Sequence, residues 1–349
     1  MKRGMKWFVT AGVIVFSMVI AMLIFMPSFL SYQKTVDSDN IIIESWISAR
    51  EIEQAITGNL VKNDSHFYLT GFDYPDKIPL SESEMGRNHN VRRYDRGIAL
   101  WTNGSLEIKI PESVNLNLTD SMQLDLKFSG TEVDGFGPHF NVIVNGECLG
   151  GGFAGDQPKS YHFLFIAKNQ NVKSIFIRYN NDFWTKRGDR NLFVSAISIN
   201  GNEIELKSDI VRKCIDLSLE TTGFHSQAEE MADYIHQLGV PKNRTTIVAF
   251  EPVEHNQTLA SAKSFRDHVN VNDLHSVNII TSGLHSRRTW FTYQKILPSN
   301  VEVGVHFFPN DARDKDNLSA KINRFFYLIS ESFSYLANWI ILHLQPINK

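Results

Sequence analysis

The chain has 349 residues and a formal net charge of −3, with no basic run longer than three residues, so a general nucleic-acid binder held by phosphate contacts is excluded. Its length allows two domains beyond any membrane segment, each able to bury its own core. The two cysteines, Cys148 and Cys214, match no metal or redox spacing. They read as small buried apolar residues, with a disulfide between them as the alternative.

From Trp7 to Gln33 there is no charged residue, and about 24 of these residues as a helix would span about 36 Å, against roughly 30 Å of hydrocarbon. Lys2, Arg3 and Lys6 precede the run, and Lys34, Asp37 and Asp39 follow it. The positive-inside rule then leaves the amino end in the cytoplasm and the main body, from about residue 34, outside. No small-x-small cleavage site follows, and the run is longer than a signal peptide's apolar core. The expectation is a single-pass protein of a bacterial cytoplasmic membrane, with residues 1–34 as tip and anchor and residues 7–30 in the lipid bilayer.

Beyond the anchor, Asn40 to Trp46 reads as a short buried strand, and Ser48 with Glu51 three residues on forms a capping box that opens a helix. His66 to Thr70 is a second strand, closed by Gly71. Two strands joined by a helix begin a parallel α/β sheet. From about Tyr74 to Asn90 the chain is polar, and from Gly97 to Leu206 it reads as seven or so short strands. Asn-Gly turns at Asn103, Asn145 and Asn200 accompany them, the pattern of an all-β sandwich. After Lys207 the α/β pattern returns: a helix from Ser226 to Leu238 ending at Gly239, a strand Thr246 to Phe250, and a helix Leu259 to His268. The strand-turn-helix Val277 to Tyr293 comes next, then a strand Val301 to Phe308. Phe325 to Leu344 is an apolar terminal helix whose Glu331, Ser334 and Asn338 make one polar stripe, read as core-packing.

This order predicts a discontinuous α/β sheet, residues 35–90 and 207–349, interrupted by an inserted β-sandwich, residues 91–206. A surface loop with close ends tolerates such an insertion. The turn Thr281 to Ser286 places Ser282 and Gly283 where a helix opens, so unpaired amides and the helix dipole converge there beside Arg287 and Arg288. A bound phosphate or carboxylate would relieve the clash of two arginines with the dipole; pairing with an acidic residue elsewhere, or solvation, would do the same.

Two resemblances are carried by these residues. Ile41 to Trp46, Thr70-Gly71, Leu238 to Pro241, Gln257 to Ala262, Thr281 to Arg288 and Val303 to Val305 resemble, in their order, the bacterial YdcF/SanA/ElyC-like family of Rossmann-like envelope domains. That resemblance implies an extracytoplasmic role in envelope polysaccharide or lipid-carrier metabolism. Ser45 replaces the family's usual glycine, and no arginine precedes Thr258. The β block is similar to calcium-dependent xylan-binding carbohydrate modules through Gly137-Pro138-His139, Val144-Asn145-Gly146, Asn180-Asn181-Asp182 and Asp189 to Val194. Physically, Asp182 and Asp189 bracket a polar loop that can wrap a hard cation with carboxylate and carbonyl oxygens. In such modules the calcium also ligates vicinal sugar hydroxyls, and Tyr179 and Trp184 are the aromatics offered for stacking on a sugar.

In open α/β sheets ligands gather beyond the carboxyl ends of the strands. Here that rule collects Glu44, Trp46, Thr70, Gly71, Glu251, Thr258, Ser282, His285, Arg287 and Arg288, with Gly283 in the same turn as Ser282. If the domain is an enzyme, Glu44 or His285 is the general acid or base and the arginines stabilise developing negative charge. The partners expected are a polysaccharide or oligosaccharide on the sandwich and a phosphate-bearing glycan or lipid-carrier precursor on the sheet. A non-catalytic glycan-binding scaffold or adhesin is the alternative. No carboxylate pair suggests a glycosidase, and no Gly-x-Ser-x-Gly elbow a serine hydrolase.

Overall fold

A computed structural model describes residues 24–58, 61–76, 91–94, 97–111, 121–166, 172–185, 188–207, 211–214, 217–272, 274–308 and 318–344. The chain divides into two compact units. One comprises Met1–Ile47, Gln54–Thr70 and Asn243–Lys349; the other comprises Ser48–Glu53 and Gly71–Lys242.

The first unit is built on a five-stranded sheet. Its strands are β1 (Asn40–Glu44), β2 (His66–Phe72), β16 (Thr245–Phe250), β17 (Ser276–Ser282) and β18 (Glu302–Phe308), in the order β16-β2-β1-β17-β18. β1 runs parallel to β2 and to β17, with Ile42 opposite Ile279 and Ile43 opposite Ile280, and β17 runs parallel to β18. Segments more than two hundred residues apart therefore share one sheet. The unbroken apolar run Ile41-Ile42-Ile43 is wholly buried, as expected of a strand covered on both faces. Helices α4 (Gln257–Asn272), α5 (Ser286–Ile296) and α6 (Leu318–Leu344) belong to this unit. Its core joins Ile42, Phe265, Ile279, Tyr293, Val303 and Val305. Gly304 is required by a close approach: a Cβ there would lie 2.1 Å from Asn278 Oδ1, and that amide side chain bonds both backbone groups of Val36.

In the second unit, one sheet has the order β15-β5-β10-β7-β8 and another β3-β4-β13-β6-β9, with β14 against β13. The strands of the first are β5 (Gly104–Lys109), β7 (His139–Val144), β8 (Glu147–Phe153), β10 (Ser174–Tyr179) and β15 (Val211–Cys214). Those of the second are β3 (Val91–Tyr94), β4 (Gly97–Leu100), β6 (Ser121–Gly130), β9 (Lys159–Ile166) and β13 (Leu192–Ile199), with β14 at Asn202–Glu203. A two-stranded ribbon, β11 (Trp184–Thr185) and β12 (Gly188–Asp189), carries the acidic loop. One core, including Leu106, Leu126, Phe128, Phe140, Ile177 and Tyr179, is shared by the two larger sheets. β15 pairs antiparallel with β5, so the sandwich continues to Cys214, beyond Leu206. Helices α2 (Leu219–Thr222) and α3 (Gln227–Gln237) also lie in this unit, α3 capped by Ser226; α1 (Ala49–Thr57) starts at the Ser48–Glu51 box, where Glu51 accepts from both Ser48 N and Oγ at 2.8 Å.

Several expectations change. Asn145-Gly146 and Asn200-Gly201 have both residues at positive φ, whereas Asn103 is not left-handed and Gly104 already begins β5. Both cysteines are free, which removes the disulfide alternative. The expected membrane run falls mainly on residues outside those described; residues 24–30 are helical, with Ile24 and Phe25 exposed. Among the described residues, the one helix long and apolar enough to cross a bilayer is Ile322–Leu344. α6 packs on the core through Tyr335 and Leu342, with Leu328 buried as well, but turns much of its apolar surface outward. Its polar stripe, Glu331 and Asn338, is buried, while Phe326, Phe333 and Leu336 are exposed.

Candidate functional site

In the second unit the acidic loop is held by an arginine that sequence reasoning did not single out. Arg190 is fully buried. Its guanidinium makes a two-pronged ion pair with Glu53, at 2.8 and 3.1 Å, and donates to Asn181 O at 2.9 Å and Val133 O at 3.1 Å. Its amide donates to Phe183 O at 2.9 Å. Asn181 is fixed in turn, its Oδ1 accepting from His139 N at 2.6 Å and its Nδ2 donating to Gly137 O at 3.0 Å. The residues on either side of Asp182 and of Asp189 are thereby anchored. The Arg-Asn signal lay in the motif itself, but its partner Glu53 is 137 positions away.

Asp182 donates its amide to Asn103 Oδ1 at 2.7 Å, yet its buried Oδ1 has no hydrogen-bond partner among the described residues. Burial, and next the negative charge of Asp189, push its carboxyl up to about 6, partly offset by the nearby Lys213 and Arg190. Burial pulls Lys213 down to about 8, and its Nζ donates to Thr102 O at 2.7 Å. Two mutually repelling carboxylates, one with an orphaned oxygen, are a donor set that a divalent cation satisfies. Among the described residues no group of three or more His, Cys, Asp and Glu side chains forms a metal cluster. The two aspartates would therefore need backbone carbonyls, which calcium accepts and zinc does not.

The two proposed sugar platforms part company. Trp184 is 40 % exposed on the ribbon, with Asp189 opposite it. Tyr179 is 0 % exposed and donates its hydroxyl to Arg190 O at 2.5 Å. It is a core residue that steadies the loop, because it shares the inward face of β10 with Ile175 and Ile177.

In the first unit, the strand order reverses between β1 and β17, and the residues at their carboxyl ends meet. Glu44 is fully buried; its Oε2 accepts from Thr281 Oγ1 at 2.6 Å and Thr289 Oγ1 at 3.1 Å, while Oε1 has no partner among the described residues. Burial raises its pKa, opposed first by the His285 charge and then by the two threonine bonds. His285 Nε2 is 2.9 Å from Thr258 Oγ1, and its Nδ1 lies 2.7 Å from Arg288 Nη2 and 3.3 Å from Glu331 Oε1. Arg288 Nε donates to Glu331 Oε1 at 2.6 Å. Thr70 lies beside Glu44 in the sheet, its Oγ1 directed to Ile43 O at 3.4 Å, and Gly71 continues β2.

Glu44, Thr258, His285 and Arg288 are thus brought together, and Thr289 and Glu331 join them unforeseen. Ser282 and Gly283 lead into a short 3₁₀ turn before α5, with no capping bond from Ser282. Arg287 turns elsewhere: it donates to Phe29 O, and its guanidinium stands 4.1 Å from the Phe29 ring centroid and 4.5 Å from that of Tyr32. The conflict of Arg288 with the helix dipole is relieved by Glu331, a carboxylate of the protein itself.

Against known proteins, residues 123–212 match CBM60, a calcium-dependent, xylan-binding carbohydrate-binding module. No curated protein matches the chain. Among solved structures, a carbohydrate-binding module, CBM36, in complex with calcium and xylotriose is 15 % identical. The likeness covers 30 % of this chain and 80 % of that one, at a TM-score of 0.19. A family two carbohydrate esterase from Clostridium thermocellum in complex with cellohexaose is 7 % identical, covering 70 % and 82 % at 0.22. A glycosylation-associated protein complex, Gap123, from Streptococcus agalactiae is 11 % identical, covering 79 % and 89 % at 0.18. The sandwich contains a segment similar to calcium-dependent, polysaccharide-binding modules, which supports calcium as cofactor and polysaccharide as ligand class.

Proposed function

We propose that this is a membrane-anchored bacterial envelope protein that grips a xylan-like polysaccharide through calcium held at Asp182 and Asp189. Its α/β unit receives an anionic or phosphorylated glycan or lipid-carrier precursor. The observation that carries the first half is the orphaned, buried Asp182 oxygen beside Asp189, inside a segment that matches a calcium-dependent module. Bound calcium supplies a Lewis-acidic centre for vicinal sugar hydroxyls, which lets a shallow site hold a hydrophilic ligand. Arg190, Asn181 and Tyr179 keep the loop in place, and Trp184 offers the ring for stacking.

The second half is supported by Glu44, whose pKa burial raises and whose Oε1 has no partner among the described residues, at a strand-order reversal next to His285 and Arg288. Glu44 is the general acid or base in this reading, and Arg288 meets the anion by exchanging its bond to Glu331. A non-catalytic scaffold is favoured by one specific observation: Arg288 is already neutralised by Glu331, and Glu44 and His285 are enclosed.

Calorimetry of xylo-oligosaccharides with and without calcium tests the module. Binding that is unaffected by a chelator would overturn the calcium reading. Inorganic phosphate separates the two readings of the α/β unit. A thermal shift that is lost in Arg288→Gln supports the precursor site, and no shift at saturating phosphate supports the scaffold.

A further inference from the structure

We infer that the outer face of α6 lies flat in the interfacial layer of the lipid bilayer, alongside the segment that reaches the membrane; this rests on the anchor reading of residues 7–30. Phe326, Phe333, Leu336, Trp339, Ile340 and Leu344 are all exposed, and their spacing places them along one side of a 3.6-residue helix. From Phe325 to Leu344 the only acidic or basic side chains are Glu331 and His343. Glu331 is buried on the opposite face. His343 is exposed beside Trp339 and is the one acidic or basic side chain on this side from Phe325 to Leu344. An apolar stripe of this length on a water-facing helix marks a contact surface.

The helix cannot leave its unit to cross the bilayer. Glu331 is bound to Arg288, Asn338 accepts from Asn256 Nδ2 at 2.8 Å, and its own Nδ2 donates to Thr292 Oγ1 at 2.5 Å. Pulling α6 into hydrocarbon would strand these buried groups without partners. In-plane insertion keeps every one of these bonds and covers the stripe.

Lipid, rather than protein, is the occupant indicated by the neighbouring residues. Phe29, near the end of the uncharged run Trp7–Gln33, meets Tyr335 of α6 edge-on at 5.4 Å between centroids. Ile24 and Phe25, just upstream, are exposed as well. Arg287 stacks on Phe29 and Tyr32, setting a cation at the point where the chain meets the headgroups. Trp339 on the stripe is the residue type that prefers this depth.

The test is nitroxide accessibility in the full chain carrying Cys148→Ala, in vesicles of phosphatidylcholine with phosphatidylglycerol. Labels are placed singly at Phe333→Cys, Leu336→Cys and Ile340→Cys, with Glu254→Cys as an exposed reference and Ile14→Cys as a reporter of the anchor. At the three α6 positions the ratio of oxygen to nickel-chelate accessibility should exceed the Glu254→Cys value about tenfold, at a depth of about 5–10 Å. Nickel-accessible α6 labels with Ile14→Cys in lipid would overturn the inference and leave the anchor standing. Labels shielded from both reagents would overturn it too, because residues 7–23 or a second copy would then cover the stripe. Lipid-exposed α6 labels with Ile14→Cys in water would support the interfacial helix and overturn the anchor. Chains that bind no vesicles overturn both.

Discussion

At Asp182, a buried oxygen without a hydrogen-bond partner among the described residues and the charge of Asp189 both disfavour the ionised carboxylate. In the calcium reading proposed above, a bound cation offsets that cost. Asp182→Asn should therefore raise the melting temperature in chelator by about 3 °C, while abolishing the further rise that calcium gives the natural chain. A variant that still responds to calcium would remove Asp182 from the site. Glu44 gives the corresponding pH prediction. Its folded-state pKa is raised above 4.5, so the folded chain binds the extra proton, and stability is lost as pH rises from the unfolded value through the folded one. Glu44→Gln should accordingly stabilise the α/β unit more at pH 8 than at pH 4.5, as read from melting curves at both pH values. Equal shifts would show that Glu44 titrates normally.

Elements show which parts of the sequence were readable. Local chemistry was: the Ser48–Glu51 box, the Ser226 cap and two of three Asn-Gly turns need only neighbours within four residues. Tyr179 was misplaced although its alternation with Ile175 and Ile177 put it on the core face; the polar loop that follows drew attention away from the period of two. Glu331 was seen as part of a stripe on α6, but its partner Arg288 lies 43 positions earlier, and no spacing rule links them. The outward turn of the apolar face followed from that same long-range pair. Arg190 gives the sharpest test at this scale. Arg190→Ala leaves the Glu53 carboxylate buried without its counter-charge, and should cost about 3–5 kcal/mol in urea denaturation. It should also loosen calcium binding, since the carbonyls of Asn181 and Val133 lose the guanidinium that holds them. A loss under about 1 kcal/mol would mean that the pair is not formed in solution.

For the whole molecule, the discontinuous sheet was legible because an α/β beginning without enough strands demanded later ones, and the register of Ile41 opposite Asn278 meets that demand. The extension of the second unit to Lys242 was less legible, since helix α3 by itself looks no different from an α/β helix. Two compact units predict two calorimetric transitions, with calcium raising only the one that contains the module. A single transition shifted as a whole would show that the units melt together.

The separation of β1 from β17 also sets a timetable for synthesis. When β2 has been made, neither neighbour that completes its sheet, β16 or β17, exists yet, and the ribosome must add roughly another 180 residues, at about 5–20 per second, before the first arrives. For about 10–40 seconds the opening βαβ hairpin waits with bare edges. The sandwich, whose strands β3 to β15 all precede β16 in the chain, can mature within that interval. A nascent chain arrested near residue 240 would thus already recognise sugar while its amino-terminal strands still depended on a holding factor.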